Sequence, residues 1–159
     1  MTTPGYKYAL CLGNKVLPTV YLLLYHGTDE HPHSSTRVGG LPAKGTDLEL
    51  LHHAEPPPGV APNSAFRGAT LFVLSLLRDA GAALWGQYVY EISAYPGYDV
   101  VTLLQGRIPC PGGFRGVLMQ AEQEIAIPAE VPLARITRAG IVKPNLRGLP
   151  IIEWVSPWP

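Results

Sequence analysis

The chain has 159 residues, among them 17 Gly, 17 Pro and 2 Cys, with 12 acidic and 12 basic side chains. A hydrophobic content of 47% against 15% charged residues excludes an intrinsically disordered chain and allows one domain with a real core. Zero formal net charge removes the electrostatic ground for binding nucleic acid or an anionic membrane surface, so neither partner is expected.

In chain order, Tyr6–Leu12 reads as a strand that ends in a turn at Gly13-Asn14. Val20–Tyr25 is continuously apolar between Pro18 and Gly27, which predicts a strand buried on both faces. That run is far shorter than the roughly 20 residues that cross a bilayer. The opening Met-Thr-Thr-Pro-Gly-Tyr-Lys lacks a basic-then-apolar pattern, so no signal peptide is expected. The compartment stays open between cytoplasm and export by a non-classical route. Thr46–Ala54 predicts a helix with Thr46 as N-cap, Glu49 completing a capping box, and Leu48, Leu51 and His52 on one side. Pro56-Pro57-Pro58-Gly59 stops it.

Phe66–Thr70 reads as a brief strand and Leu71–Gly81 as a largely buried helix. Gln87–Tyr95 is rich in β-formers and predicts a strand turned by Pro96-Gly97. Asp99–Leu104 follows as an extended stretch or short helix, and Arg107–Gly116 as an irregular Gly/Pro loop. Glu122–Ile127 alternates polar and apolar residues, the pattern of a half-buried strand, and Ala134–Val142 and Ile151–Val155 supply two more. No repeat, charge block or linker divides the chain, so residues 1–159 are expected to form a single monomeric α+β domain.

The chemistry concentrates at Glu122-Gln123-Glu124. In a strand, residues i and i+2 share a face, which sets the two carboxyl groups side by side. An isolated Glu-x-Glu is most often a solvated edge; here it follows a Gly/Pro loop and opens the apolar run Ile125-Ala126-Ile127. His31, His33, His52 and His53 lack helical i, i+4 spacing and a Cys partner, so no metal is expected. Cys11 and Cys110 form no CxxC and read as two buried thiols or one disulfide. Tyr88, Tyr90, Tyr95 and Tyr98 read as strand and core aromatics.

The run Glu122–Pro128, followed by Pro132 and by Ile136 to Val142, resembles the carboxyl half of mono-ADP-ribosyltransferases of the cholera-toxin and arginine-specific type. Tyr88–Ile92 is similar to that family's central strand, Leu24–Thr28 to its first NAD+-binding strand, and Ser64–Thr70 to its Ser-Thr-Ser strand. The resemblance implies an ADP-ribosyltransferase-like split β-sandwich with short flanking helices and NAD+ as co-substrate. It implies that Glu124 stabilises the cationic ribose as nicotinamide leaves, and that Glu122 prepares the acceptor. His26, Gly27, Thr28, Arg67 and Thr70 would hold the dinucleotide, with Phe114 and Arg115 in the substrate-recognition loop.

Two positions depart from the cholera-like pattern. His26 stands where that group has Arg, as in the diphtheria-toxin and poly-ADP-ribosyl branch, and Arg67 is then implied to supply the lost cation near the phosphates. Gly68-Ala69-Thr70 replaces Ser-Thr-Ser, so the first serine is missing. The expected activity is mono-ADP-ribosyl transfer to an acceptor, with a protein side chain favoured. A small-molecule ADP-ribosyltransferase, an NAD+ glycohydrolase and a binding domain without turnover stand as alternatives.

Overall fold

Leu12 and Gly13, with φ of 53° and 83°, form a two-residue turn whose positive dihedrals match the twist of a tight hairpin. It joins β1 (Ala9–Cys11) to β2 (Asn14–Val16) in a small two-stranded ribbon. The computed structural model describes residues 8–80, 84–104 and 123–159. Among these are also the strands β3 (Thr19–Thr28), β4 (Gly40–Leu41), β5 (Phe66–Ala69), β6 (Tyr88–Asp99), β7 (Ile125–Pro128), β8 (Val131–Pro132), β9 (Ile136–Pro144) and β10 (Pro150–Trp154). Four short helices intervene: α1 (Pro32–Val38), α2 (Leu50–Ala54), α3 (Val73–Ala80) and α4 (Val100–Leu103).

The twelve-residue β6 is the spine. Its first half lies between β3 and β9, with β10 beyond β9; its last residues, Tyr98 and Asp99, pair instead with β7, which carries β5. A register shift at Glu91/Ile92 and a left-handed Ala94 (φ 49°) mark the bend between the halves. The expected turn at Pro96-Gly97 is therefore continuous strand. Pro96 pairs only with Val20 of β3, an edge position where a missing N–H is tolerated. Gly97 is required by packing, since a Cβ there would lie 2.5 Å from Ile125 Cγ2.

β7 is buried at all four positions, not half-buried, because it runs between β5 and β6 with a core on each side. Ala126 joins the cluster of Phe66, Tyr98, Val100 and Leu50, while Ile125 and Ile127 join Leu24, Tyr90, Ile92 and Tyr95. Each fully buried aliphatic side chain here contributes roughly 1.5–3 kcal/mol. Tyr90, Tyr95 and Tyr98 are core residues as expected. Glu91 ties β3 to β9: its carboxylate accepts hydrogen bonds from Tyr25 Oη, Thr137 Oγ1 and the Arg138 guanidinium.

Three expectations fail for identifiable reasons. β3 is an edge strand over its first half, so Leu22 is 85% and Val20 66% exposed, and only Leu24, His26 and Thr28 are buried. The helix expected from Thr46 begins at Leu50. Asp47 pairs with Ser64 instead, and Glu49 accepts N–H bonds from Leu12 and Gly13 rather than capping the helix. The inward face of α2 consequently carries Leu50, His53 and Ala54, with His52 outside. α3 is amphipathic: Leu76 and Leu77 are buried, whereas Leu74 is 77% exposed. No helix among the described residues is long and apolar enough to cross a membrane.

Candidate functional site

A single backbone bridge places the site. Tyr25 of β3 exchanges both of its backbone hydrogen bonds with Thr70, each at 2.9 Å, and from there β3 and β5 diverge. Hydrogen-bonding direction alternates along an antiparallel strand, so the Gly27 amide and carbonyl point to the same side as those of Tyr25. No backbone hydrogen bond joins Gly27 to β5 among the described residues. Beside β5 lies a cleft of about 600 Å3, which His26 lines and Gly27 does not. His26, Arg67 and Gly68 form its strand wall; His53 of α2, Ser64 and the proline-rich segment from Pro56 to Pro62 form the other.

His26 is 5% exposed and locks the two strands together. Its Nδ1 lies 2.6 Å from the Gly68 carbonyl and its Nε2 lies 3.3 Å from Arg67 Nη1. The carbonyl can only accept and the guanidinium can only donate, so the ring is the neutral Nδ1–H tautomer. Burial, reinforced by the charges of Arg67 and Lys44 and opposed by the Gly68 carbonyl, lowers the imidazole pKa from 6.5 to about 3. The unfolded chain therefore binds a proton at this position that the folded chain does not. The resulting stability is complete above about pH 6.5 and is lost progressively as pH falls toward 3. Thermal unfolding followed across that window is expected to fall steeply for the native chain and less steeply for His26→Asn.

Arg67 has no exposed side-chain surface. Nε donates to Ala129 O (2.7 Å), Nη2 donates to Pro42 O (2.7 Å) and Glu30 Oε1 (3.1 Å), and Nη1 faces His26 and Glu30 Oε2 (3.0 Å). Four of its N–H groups are thus hydrogen-bonded to protein atoms, which fixes His26 from behind, while the Nη1–Glu30 Oε2 contact is an ion pair without a hydrogen bond. Thr70 is fully buried, with Oγ1 accepting the Phe72 N–H ahead of α3, and Thr28 Oγ1 accepts the Glu30 N–H. Neither threonine lines the cleft.

Glu124 stands immediately behind the cleft wall and is 7% exposed. It precedes β7 by one residue, and Gln123 before it is left-handed (φ 50°). Gln123-Glu124 is therefore not part of the regular strand that the alternation implied. Glu122, Phe114 and Arg115 lie outside the described residues, as does Cys110; Cys11 is a buried free thiol. Glu124 Oε1 lies 3.3 Å from His53 Nε2, and His53 Nδ1 lies 2.9 Å from Ser64 Oγ, which accepts the Phe66 N–H. Glu124 Oε2 is buried with no hydrogen-bond partner among the described residues. It shares this state with Glu30 Oε2, the other buried carboxylate oxygen without a hydrogen-bond partner among the described residues.

No protein-family model and no curated protein sequence matches the chain. Solved structures do. EcPltA is similar at a TM-score of 0.60 and 19% identity over 82% of each chain. A single-residue variant of heat-labile enterotoxin gives 0.57 and 19%, over 86% of this chain and 75% of the other. A guanine-specific ADP-ribosyltransferase solved with NADH and GDP gives 0.57 and 16%, over 89% and 82%. The chain has the ADP-ribosyltransferase fold.

Within the ADP-ribosyltransferase fold, this chain braces its glutamate with residues that sequence reasoning passed over. His53, which the sequence offers only among histidines unsuited to a metal, has one signal for its inward face, the i, i+3, i+4 spacing of Leu50, His53 and Ala54. The missing serine also has a steric explanation. A Cβ on Gly68 would lie 2.1 Å from Glu124 Oε1 and 3.1 Å from Cδ, so the carboxylate occupies the space a side chain there would need. Gly68→Ser is expected to push the carboxylate off His53 with a stability loss of about 1 kcal/mol, which a thermal melt checks.

Proposed function

We propose that the chain is an ADP-ribosyltransferase that breaks the nicotinamide–ribose bond of NAD+, with Glu124 as its catalytic carboxylate. The observation that supports this is Glu124 Oε2, buried behind the wall of the cleft without a hydrogen-bond partner among the described residues, in an ADP-ribosyltransferase fold. Oε2 accepts a hydroxyl of the nicotinamide ribose, and the carboxylate charge stabilises the positive charge that develops on the ribose as nicotinamide departs with the bonding electrons. A fixed charge aimed at charge that exists only in the transition state lowers the barrier to the chemical step.

His53 is a positioning residue in this reading. Ser64 holds its Nδ1, which leaves Nε2–H to donate to Glu124 Oε1 and to fix the carboxylate. Gly27 offers its backbone amide and carbonyl to the nicotinamide carboxamide. His26 and Arg67 shape the strand wall rather than contacting the dinucleotide, because their polar atoms are already engaged. Glu122 prepares the acceptor, Phe114 and Arg115 meet it, and the 159 residues act as one catalytic unit.

The acceptor is a protein side chain. Incubation of the purified chain with NAD+ and candidate acceptors, followed by quantified nicotinamide release and product mass spectrometry, tests both parts of the reading. A modified peptide supports protein transfer. A modified small molecule, for which the guanine-specific neighbour is the precedent, replaces the acceptor, and free ADP-ribose alone makes the enzyme a glycohydrolase. Absence of nicotinamide release overturns the enzymatic reading and leaves a binding domain.

A further inference from the structure

With His26 and Arg67 consumed by protein contacts, the strand wall offers no free cation to the doubly negative pyrophosphate of NAD+. Of the lysines and arginines among the described residues, only Arg67 and Lys44 line the cleft. Lys44 is exposed, and no acidic side chain lies within ion-pair distance of it among the described residues. The acid that shares the cleft, Asp47, is 2.7 Å from His52 Nδ1 and also accepts the Glu49 N–H.

The backbone on either side of Lys44 is pinned. Pro42 O accepts the Arg67 Nη2 hydrogen bond, and Gly45 packs against Asn63 so closely that a Cβ would lie 2.3 Å from the Asn63 carbonyl oxygen. The next two amides, of Thr46 and Asp47, donate to that same oxygen at 3.1 and 2.8 Å. A long flexible cation therefore rises from a fixed base at the cleft rim. Its charge reaches across to the strand wall, where it is among the influences that disfavour protonated His26.

We propose that Lys44 is the phosphate contact of this site: its ammonium binds the pyrophosphate of the dinucleotide, which neither His26 nor Arg67 can reach. This rests on the reading of NAD+ as substrate. An ammonium is a compact point charge with three donors on a flexible stem, suited to phosphate oxygens whose position is not rigidly set. The pyrophosphate does not react, so its contact is equal in ground and transition states and acts on binding rather than on the chemical step.

The test is calorimetric titration of the native chain, Lys44→Gln and Lys44→Arg with ADP-ribose and with adenosine, alongside NAD+ kinetics. Lys44→Gln is expected to weaken ADP-ribose binding about 10-fold, raise KM for NAD+ by a similar factor and leave kcat within about two-fold. Lys44→Arg restores most of the ADP-ribose affinity, and adenosine, which carries no phosphate, binds all three proteins alike. An unchanged ADP-ribose affinity in Lys44→Gln, or an equal loss for adenosine, overturns the assignment of Lys44 alone. A native chain that binds neither NAD+ nor ADP-ribose overturns the underlying substrate reading instead. The thermal midpoint of Lys44→Gln stays at the native value, because the side chain is exposed and has no ion-pair partner among the described residues.

Discussion

Glu124→Gln is expected to lower single-turnover nicotinamide release by at least about 100-fold while leaving the protein as stable as the native chain. The two effects separate because the two oxygens differ. Oε1 meets His53, and a glutamine oxygen accepts that N–H equally well. Oε2 has no partner among the described residues, so replacing a buried charge with a neutral amide costs nothing in folding and even removes a desolvation penalty. What the amide cannot supply is the negative charge opposite the developing cation. Rapid-quench release assays and a thermal melt on the same preparation read both. A variant that keeps native turnover would show that the buried carboxylate is structural.

Arg67→Met is expected to produce the largest loss of stability, about 3–5 kcal/mol, or roughly 10 °C in thermal midpoint for a chain of this size. The guanidinium satisfies Ala129 O, Pro42 O, His26 Nε2 and Glu30 at once. Removing it orphans each of them, whereas methionine fills only the volume. A double-mutant cycle with Glu30→Gln isolates the ionic part: the pair is expected to couple, so the double variant loses less than the sum of the single losses. Additive losses would contradict the ion pair as the source of the effect. NAD+ turnover falls in the same variant, because Arg67 fixes His26, and His26 holds Gly68 against Glu124.

How much of this was legible in the sequence follows from which interactions are local. The apolar runs of β3, β6, β7 and β9, and the buried tyrosines, announced themselves through β-propensity and patterning. Their burial did not. Leu22 is exposed because β3 has only one full-length neighbour, and Ala126 is buried because two strands flank β7; neither fact is written in the run itself. The capping box at Thr46 and Glu49 fitted a local rule that a hairpin 36–37 residues away overrode by claiming the Glu49 carboxylate.

At the site, Glu124 could be singled out because its neighbours form a recognisable string. The rest depended on contacts across 41 to 71 positions: Arg67 with His26, and His53 with Glu124. Sequence reasoning placed Arg67 among the phosphate contacts because a cation was missing from β3. The fold instead buried it as the clamp on that strand, and the glycine that looked like a lost serine is the space the carboxylate fills.

The most direct test of the account is a crystal structure of the Glu124→Gln chain with NAD+. The expected result is the dinucleotide in the cleft between His26 and His53, with a nicotinamide-ribose hydroxyl within hydrogen-bond distance of the side chain at position 124. Dinucleotide bound elsewhere on the protein, or an empty cleft at saturating NAD+, would contradict it.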